Sequence, residues 1–507
     1  MTETIGEAEA AKSRGNACFS AGHYGAAVQE YTRAIAVASG AELKQLHIYL
    51  SNRAFCQIRL ENLGCAVDDA TQAVQLQPLF AKGYYRRGCS YVGLLKFKDA
   101  MKDFQAVLKI CPADVEAQAR LKECKKQVQY AAFAAAIDSG KAKKKKIEEP
   151  IEALLNEPPV AGASYEGPRY EGREKTPIDR KFIEELMDFF TAEKVLPKRY
   201  ALHLVKDAYD HLKKLSTLVK VPLESQGAEA AGEIAKEVIV FGDIHGQAYD
   251  LMAQLRRLFA ETAGAEIPQM LFNGDIVDRG SFGVPCVLLI CALVLSGRVF
   301  VNRGNHETTA MSRLYGFAGE AVAIYDETFY EVCSEFFCAL PLAHVVGEAV
   351  FVTHGGLFSS DQVTLKDIDA VNRDTEPGDS GLMTEMLWAD PMAGEGRAPS
   401  KRGVGLCFGA DVTANFLAMN NLQLVIRSHE MKDEGWELEH GGKLITVFSA
   451  PNYCDQMGNK GAVVRLRLDT EGKVQYKVET FEAVPHPFKP AMCYANKMLF
   501  GQNFASV

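Results

Sequence analysis

The chain has thirteen cysteines among its 507 residues but no C-x-x-C pair. Their odd number and scattered placement give no disulfide framework, and Cys56, Cys286 and Cys291 fall in apolar helical patterns. Reduced thiols in a cytoplasmic or nuclear compartment are therefore expected. Nothing at the N-terminus reads as a secretory leader, because residues 1–7 are polar and acidic. The longest apolar run, residues 284–295, is too short to span a bilayer and reads as a buried helix, so no stable membrane insertion is expected. Positive charge is in deficit. A formal net charge of −9 argues against a general nucleic-acid binder, which is usually basic. What remains, 48% apolar and 24% charged residues over this length, is the composition of a soluble globular chain with two to three domains.

Five segments share one pattern. Apolar runs at 238–241, 270–272 and 299–301 lead into GDIHG (242–246), NGDIVDRG (273–280) and NRGNHE (302–307). Two more follow the same form, FVTHGG (351–356) and VIRSHE (425–430). Each reads as a buried strand ending in a tight turn that carries Asp, Asn or His. Glycine permits such turns and lets backbone approach a ligand closely. Aspartate and imidazole suit manganese, iron, zinc or magnesium. A single carboxylate can bridge two such ions, and two ions about 3.5–4 Å apart can clamp a phosphoryl group and activate water.

The first 125 residues are helical and repetitive. Small residues Gly15, Ala27 and Ala34 recur as Ala54, Ala66 and Ala73, then as Gly88 and Ala100, with Val107 in the third slot. Pro78 and Pro112 close the second and third units, which lie 34 residues apart, whereas the first is longer by five. This period predicts helical hairpins that stack around a concave groove, capped by a helix over 115–137. Residues 138–178 change character, with a lysine run at 143–146 and a Pro-, Gly- and Glu-containing stretch, and read as a linker. The lysine run allows a nuclear-import reading, with a solvated linker preferred. The expected organisation is a repeat domain over 1–137, a linker over 138–178 and a second domain over 179–507. In the latter, strands at 444–448 and 463–468 suggest a second sheet, and residues 492–500 a short terminal helix.

The five motifs, in this order and spacing, resemble the serine/threonine phosphoprotein phosphatase family over roughly residues 180–495. SKRGVG (400–405) and SAPNYCD (449–455) agree with it. The N-terminal part resembles tetratricopeptide repeats. The resemblance implies an all-α tetratricopeptide superhelix followed by an α/β metallophosphoesterase domain, a two-sheet β-sandwich flanked by helices. It implies one metal held by Asp243, His245 and a bridging Asp275, and a second held by Asp275, Asn305, His354 and His429. The pair is expected to be manganese, iron or both, with magnesium or zinc as alternatives. It further implies direct attack of a metal-bridging water on phosphoserine or phosphothreonine, with His306 as general acid oriented by Asp278. Arg279 and Arg402 would grip the phosphoryl oxygens, with Tyr453 at the same mouth. Arg303, Arg427 and Glu307 are expected to orient the loops.

On the repeats, Lys12, Asn16, Asn52, Lys82 and Arg86 match the carboxylate clamp of chaperone-binding tetratricopeptide domains. The resemblance therefore implies binding of the acidic C-terminus of a ninety-kilodalton heat-shock chaperone. Repeat-bearing members of the phosphatase family use the repeats to inhibit the catalytic site until a chaperone tail or fatty acid displaces them. Glu61, at the turn of the second repeat, is the candidate inhibitory contact. A monomer acting on phosphoproteins is expected. The competing readings are a metallophosphodiesterase and a chaperone-binding adaptor with weak or no catalysis.

Overall fold

A computed structural model describes residues 2–40, 44–139, 165–223, 237–262, 264 and 266–495. The lysine run and residues 496–500 lie outside the described residues. Two compact units are present and are taken in turn.

The first unit is helical. Its helices are α1 (Thr2–Ser20), α2 (Tyr24–Gly40), α3 (Leu46–Arg59), α4 (Leu63–Leu76), α5 (Ala81–Gly93), α6 (Phe97–Ile110) and α7 (Val115–Ser139). They pair as three hairpins with α7 against α6. The small residues explain the pairing. Ala27, Ala34, Ala54, Ala66, Ala73 and Ala100 are fully buried. A Cβ on Gly15 would sit 2.9 Å from the Tyr31 ring, and one on Gly88 would sit 3.0 Å from the Phe104 ring. Ridges can interlock this closely only where the side chain is absent.

A second periodic signal holds the hairpins together. Arg14 pairs with Glu30, Arg53 with Asp69 and Arg87 with Asp103, always first helix to second helix. The last two are bidentate. Arg53 Nε and Nη2 lie 2.8 and 2.6 Å from the Asp69 oxygens, and Arg87 Nε and Nη2 lie 2.9 and 2.8 Å from those of Asp103. The turns repeat as well. Gly22, Glu61 and Leu95 occupy equivalent positions, with φ of 79°, 62° and 58°. Glu61 thus takes a left-handed conformation for which the first repeat uses glycine.

The second unit is a two-sheet sandwich. One sheet has the order β1 (Leu218–Val221), β5 (Ala343–Val346), β6 (Val350–Thr353), β10 (Leu424–Arg427), β12 (Leu444–Val447) and β11 (Trp436–Glu439). The other runs β14 (Val474–Phe481), β13 (Gly461–Leu468), β2 (Val238–Phe241), β3 (Met270–Phe272) and β4 (Val299–Val301). The tail strands therefore do not form a sheet of their own. β12 pairs in parallel with β10, and β13 pairs antiparallel with β2. Strands far apart in sequence, β2 and β13, cover each other's hydrogen-bonding edges, which local alternation cannot reveal.

Valines and isoleucines of the inner faces (Val238, Val240, Val350, Val352, Ile426, Ile445) fill the layer between the sheets. The helix Gly283–Leu295 is apolar on every face because it packs in the outer core among its neighbouring helices, where almost all its residues are buried. No helix among the described residues is long and apolar enough to cross a membrane.

Residues 165–178, within the stretch read as linker, are packed where described. The phenol of Tyr170 is fully buried and donates to Asp207 Oδ2 at 2.7 Å, and the Tyr165 ring meets Phe189 edge-on at 5.8 Å. The linker reading came from composition, which does not register two tyrosines docking on a helix. Residues 492–495 form turns where a terminal helix was expected, and Met492 has φ of 56°.

On β14, burial works against the charge of Glu479, but hydrogen bonds from Lys477, Arg257 and Arg465 outweigh it and pull its pKa from 4.5 to about 2. The folded pKa is the lower one, so ionised Glu479 stabilises above pH 4.5, and that contribution disappears as the pH falls through about 2. Glu479→Gln is expected to lower stability at pH 7 by on the order of 1 kcal/mol. In thermal unfolding, the gap between variant and parent should close between pH 4.5 and 2. A gap independent of pH would refute the assignment.

Candidate metal centre and peptide groove

The parallel strands β2, β3 and β4 end on one edge of their sheet, and β6 and β10 end together in the other. Their five following turns meet across the sandwich. Left-handed backbone is concentrated here: His245, Asp275, Asp278, Arg279 and His429 have φ of 47°, 49°, 70°, 69° and 71°. Such conformations cost of order 1–3 kcal/mol each and persist where the surroundings over-determine them.

Glu307 supplies much of that determination. Its buried carboxylate accepts from the backbone N–H groups of Asp275, Ile276, Val277 and Gly304 at 2.8, 2.8, 3.3 and 2.9 Å, so it cradles the turn that carries Asp275. Two buried arginines hold the outer loops. Arg303 donates to the carbonyls of Glu307, Arg373 and Thr375, and Arg427 donates to those of Gly355 and Ala389 and to Asp390.

Asp243, His245, Asp275, Asn305, His354 and His429 come together, none more than 6% exposed. Asp275 stands in the middle. Its Oδ2 is 3.5 Å from His245 Nε2 and its Oδ1 is 3.4 Å from His354 Nε2. His245 Nδ1 faces the Val277 carbonyl at 3.1 Å, and His354 Nδ1 faces that of Asn273 at 2.8 Å. A carbonyl there places the proton on Nδ1 and leaves the Nε2 lone pair for a ligand, the usual backing of a metal-binding imidazole. His429 turns its Nδ1 to within 3.2 Å of His354 Nε2, and its backbone N–H donates to Asp243 Oδ1.

The donor set fits cations. The outer atom of the Asn305 amide lies 2.9 Å from both His354 Nε2 and His429 Nδ1, and 3.2 Å from both Asp275 oxygens. An amide oxygen in that position faces only electron-pair donors, an arrangement that a shared cation satisfies. Burial pushes Asp243 up to about 7, and the charge of Asp275 adds to the shift. Burial also pushes His245 down to about 3. Asp275, although buried, is held well below the ordinary carboxyl range when His354 and His306 are protonated, a neutralising role that a bound cation would take over once the imidazoles are neutral. Two carboxylates repelling each other in a closed site are what a pair of divalent ions would relieve.

His306 also reaches the centre. Its ring nitrogens lie close enough to those of His245 and to Asp275 to form a second potential ligand cluster. However, Nδ1 is engaged by Asp278 Oδ2 at 2.8 Å. Asp278 Oδ1 in turn accepts the N–H of Phe317 at 2.8 Å, and burial raises its pKa well above the usual value. Tyr453 is 9% exposed, with its ring 5.1 Å from that of His245. Arg279 is buried, with its guanidinium carbon 3.8 Å from the centre of the Tyr315 ring. Arg402 lies in the loop between β8 (Arg397–Pro399) and β9 (Leu406–Phe408), half-buried, its N–H on Ser400 Oγ.

Sequence reasoning missed a polar chain beneath the centre. Asn273 donates to the Thr353 carbonyl and to Ser428 Oγ, Asn302 donates to Asn273 Oδ1 and the Val352 carbonyl, and His344 Nδ1 meets Asn302 Oδ1 at 2.7 Å. All are fully buried and tie the two sheets. The available signal was an asparagine directly after two apolar strands, where turn chemistry was the easier reading.

On the repeats, Arg86 Nη1 donates to Ser51 Oγ at 2.7 Å and Asn52 Oδ1 at 3.1 Å, and its guanidinium lies 5.0 Å from the Phe55 ring centre. Burial draws its pKa down to about 10, so the charge persists at neutral pH. Lys82 is exposed, Lys12 pairs with Glu9 at 3.0 Å, and Asn16 accepts from the Tyr31 hydroxyl at 2.6 Å. The structure thus joins Asn52 to Arg86 directly, while Lys12 and Asn16 have local partners.

Residues 236–433 match the family model of calcineurin-like phosphoesterases, and residues 121–220 match one described as the PPP5 TPR repeat region. Serine/threonine-protein phosphatase T of Trypanosoma brucei brucei is 40% identical, over 97% of this chain and 98% of the relative. Human serine/threonine-protein phosphatase 5 is 41% identical, over 97% and 94%. A solved Saccharomyces cerevisiae serine/threonine phosphatase, described as similar to human phosphatase PP5, superposes with a TM-score of 0.56 at 36% identity, covering 62% of this chain and 99% of its own. With helical hairpins preceding a two-sheet metallophosphoesterase domain, and likeness of this extent, the chain belongs to the serine/threonine-protein phosphatase 5/T family of enzymes.

Proposed function

We propose that the chain hydrolyses phosphoserine and phosphothreonine monoesters in proteins at a two-metal centre. One observation carries the proposal: the two oxygens of a single buried carboxylate, Asp275, each face a different imidazole, His245 on one side and His354 on the other. In this reading Asp243, His245 and Asp275 hold one ion, and Asp275, Asn305, His354 and His429 hold the other. When bound, the ions supply Lewis acidity toward the phosphoryl oxygens and a water of lowered pKa.

The rest falls to the chain. Arg279, Arg402 and Tyr453 bind and orient the phosphoryl group, with the guanidinium offering two parallel donors to its oxygens. His306, its Nδ1 held by Asp278, keeps a proton on Nε2 for the serine or threonine oxygen as the ester bond breaks. Asp278 accepts from His306 Nδ1 and, itself anchored by the Phe317 N–H, fixes the ring so that Nε2 carries the transferable proton.

The repeat groove is read as the site for an acidic chaperone C-terminus, with Arg86 and Asn52 at its centre and Lys12, Asn16 and Lys82 beside them. A guanidinium whose hydrogen-bond partners here are the neutral Ser51 and Asn52 keeps its charge for a carboxylate. Lys12 would have to exchange Glu9 for the peptide. Autoinhibition by the repeats, with Glu61 as contact, belongs to the same proposal and predicts that the peptide accelerates turnover. Arg86→Ala is expected to weaken peptide binding at least tenfold, measured by calorimetry, because a charge-assisted bond is worth about 1.5–3 kcal/mol.

The deciding assay is release of phosphate from a phosphoserine peptide by the full chain with manganese, before and after chelation, with and without an acidic chaperone-tail peptide. Manganese-dependent turnover supports the enzyme reading, and acceleration by the peptide supports the groove. Turnover of a cyclic nucleotide in preference to the phosphopeptide would favour a diesterase. No turnover in metal-loaded protein that still binds the peptide would leave an adaptor.

A further inference from the structure

Arg279 is held in an unusual way. It is buried, and it follows Asp278 in a run of two left-handed residues. The two residues that pin its backbone also pin its side chain. Its N–H donates to the Tyr315 carbonyl at 3.4 Å, and its own carbonyl accepts from the Met492 N–H at 2.7 Å. The Tyr315 ring lies 3.8 Å from its guanidinium carbon, and Met492 Sδ lies 3.9 Å from Nη1.

Both residues are themselves fixed. Tyr315 ends the helix Thr309–Tyr315, is 6% exposed, and places its ring 5.2 Å from that of His306. Met492 belongs to a strap over 490–495. Ser281 Oγ donates to the Pro490 carbonyl at 2.6 Å, and the Cys493 N–H returns to Ser281 Oγ. The strap crosses the helix that follows Tyr315, Phe317–Ile324, where a Cβ on Gly319 would sit 2.5 Å from the Tyr494 carbonyl oxygen. Only glycine lets the strap lie that close.

We infer that Tyr315 and Met492 are positioning residues that clamp Arg279, one from a helix end and one from the C-terminal strap, so that the guanidinium meets the phosphoryl oxygens already oriented. The inference rests on the reading of Arg279 as a phosphoryl-gripping residue. A free arginine side chain must surrender much of its rotamer freedom to take one geometry. A π face and a thioether both restrict it, and neither brings a negative charge of its own. Tyr315 stacks on Arg279 and neighbours His306, so it sets the separation between the group that grips the phosphoryl oxygens and the group that protonates the leaving oxygen.

The test is a double-mutant cycle on the full chain with manganese. Its readouts are kcat and KM for a phosphoserine peptide, inhibition by inorganic phosphate, metal content and thermal unfolding. Tyr315→Leu should lower kcat/KM roughly 10- to 30-fold and weaken phosphate inhibition in proportion, with metal content unchanged. Tyr315→Phe keeps the ring and should stay within about twofold of the parent. Met492→Ala should act in the same direction and less strongly, with Met492→Leu between it and the parent. In an Arg279→Ala background, neither Tyr315→Leu nor Met492→Ala should add to the loss.

The clamp is overturned if the losses persist undiminished in that background, or if phosphate inhibition is unmoved. Arg279→Ala on its own tests the underlying reading. If it leaves both kinetics and phosphate inhibition at parental values, Arg279 is not the grip and the clamp falls with it. Should Tyr315→Leu fail to fold, the Tyr315→Phe and Met492 pairs decide the question.

Discussion

Asp275→Asn is expected to lower turnover of a phosphoserine peptide by about a thousandfold or more, and to lower the metal content of the purified protein. The carboxylate does three things at once. Oδ2 faces His245 Nε2, Oδ1 faces His354 Nε2, and Oδ1 also accepts the backbone N–H of His306 at 3.0 Å. Asparagine keeps one acceptor and puts an NH₂ group where the other was. Its hydrogens would point into a cluster of lone pairs, and the negative charge that the proposed pair of ions would share would be gone. Few substitutions of one atom should cost this molecule more. Glu307 should still cradle the turn, because it binds backbone N–H groups and not the substituted side chain. The fold should therefore survive, with a circular dichroism spectrum like the parent's. Elemental analysis and phosphate release read the two effects together. A variant with parental metal content and turnover would remove Asp275 from the centre of the mechanism.

His306→Gln should separate proton transfer from binding. General acid catalysis contributes typically 10²–10⁴-fold when the leaving group is poor. A serine alkoxide is a poor leaving group, and an aryl oxide bearing a nitro group is a good one. The variant should thus lose about 10²–10⁴-fold on a phosphoserine peptide and far less on the aryl phosphate, with KM little changed on either. Asp278→Asn should shift the same ratio in the same direction, since Asp278 holds His306 Nδ1 at 2.8 Å and is anchored by the Phe317 N–H. Equal losses on both substrates would mean that His306 serves the site through the candidate ligand cluster it forms with His245 and Asp275, and not as the acid.

Much of this site is legible in the sequence, and the reason is local. Each ligand turn directly follows an apolar run, so strand and ligand are neighbours in sequence. Val238–Phe241, Met270–Phe272, Val299–Val301, Val350–Thr353 and Leu424–Arg427 are the strands that those runs become. The helical repeats were legible for a similar reason, because Gly15 against Tyr31 and Gly88 against Phe104 recur at one spacing. The illegible parts depend on distant partners. Nothing near Arg279 announces Met492, more than 200 residues away, and nothing near Glu320 announces that it caps the helix Gly283–Leu295 through the N–H groups of Gly283 and Val284. Asn273, Asn302 and His344 look like ordinary turn or core residues until two sheets are laid together. The sheet membership of β12 and β13 was hidden likewise, since pairing is a property of edges and not of composition.

The position of β13 also bears on the order in which a growing chain can become active. Every proposed ligand has been synthesised once His429 is made. Yet β2, which leads into the first ligand turn, is hydrogen-bonded on one side by β3 and on the other by Gly461–Leu468. Gly242 also donates to Ser449 Oγ, and the Ser449 N–H donates to the Asp243 carbonyl. A nascent chain halted between residues 430 and 448 would therefore carry a complete set of donor atoms without the strand that closes the sheet beside the first ligand turn. Synthesis at about 5–20 residues per second leaves such chains waiting seconds for the strand that closes the sheet. Assembly of the centre is thus a late event in translation.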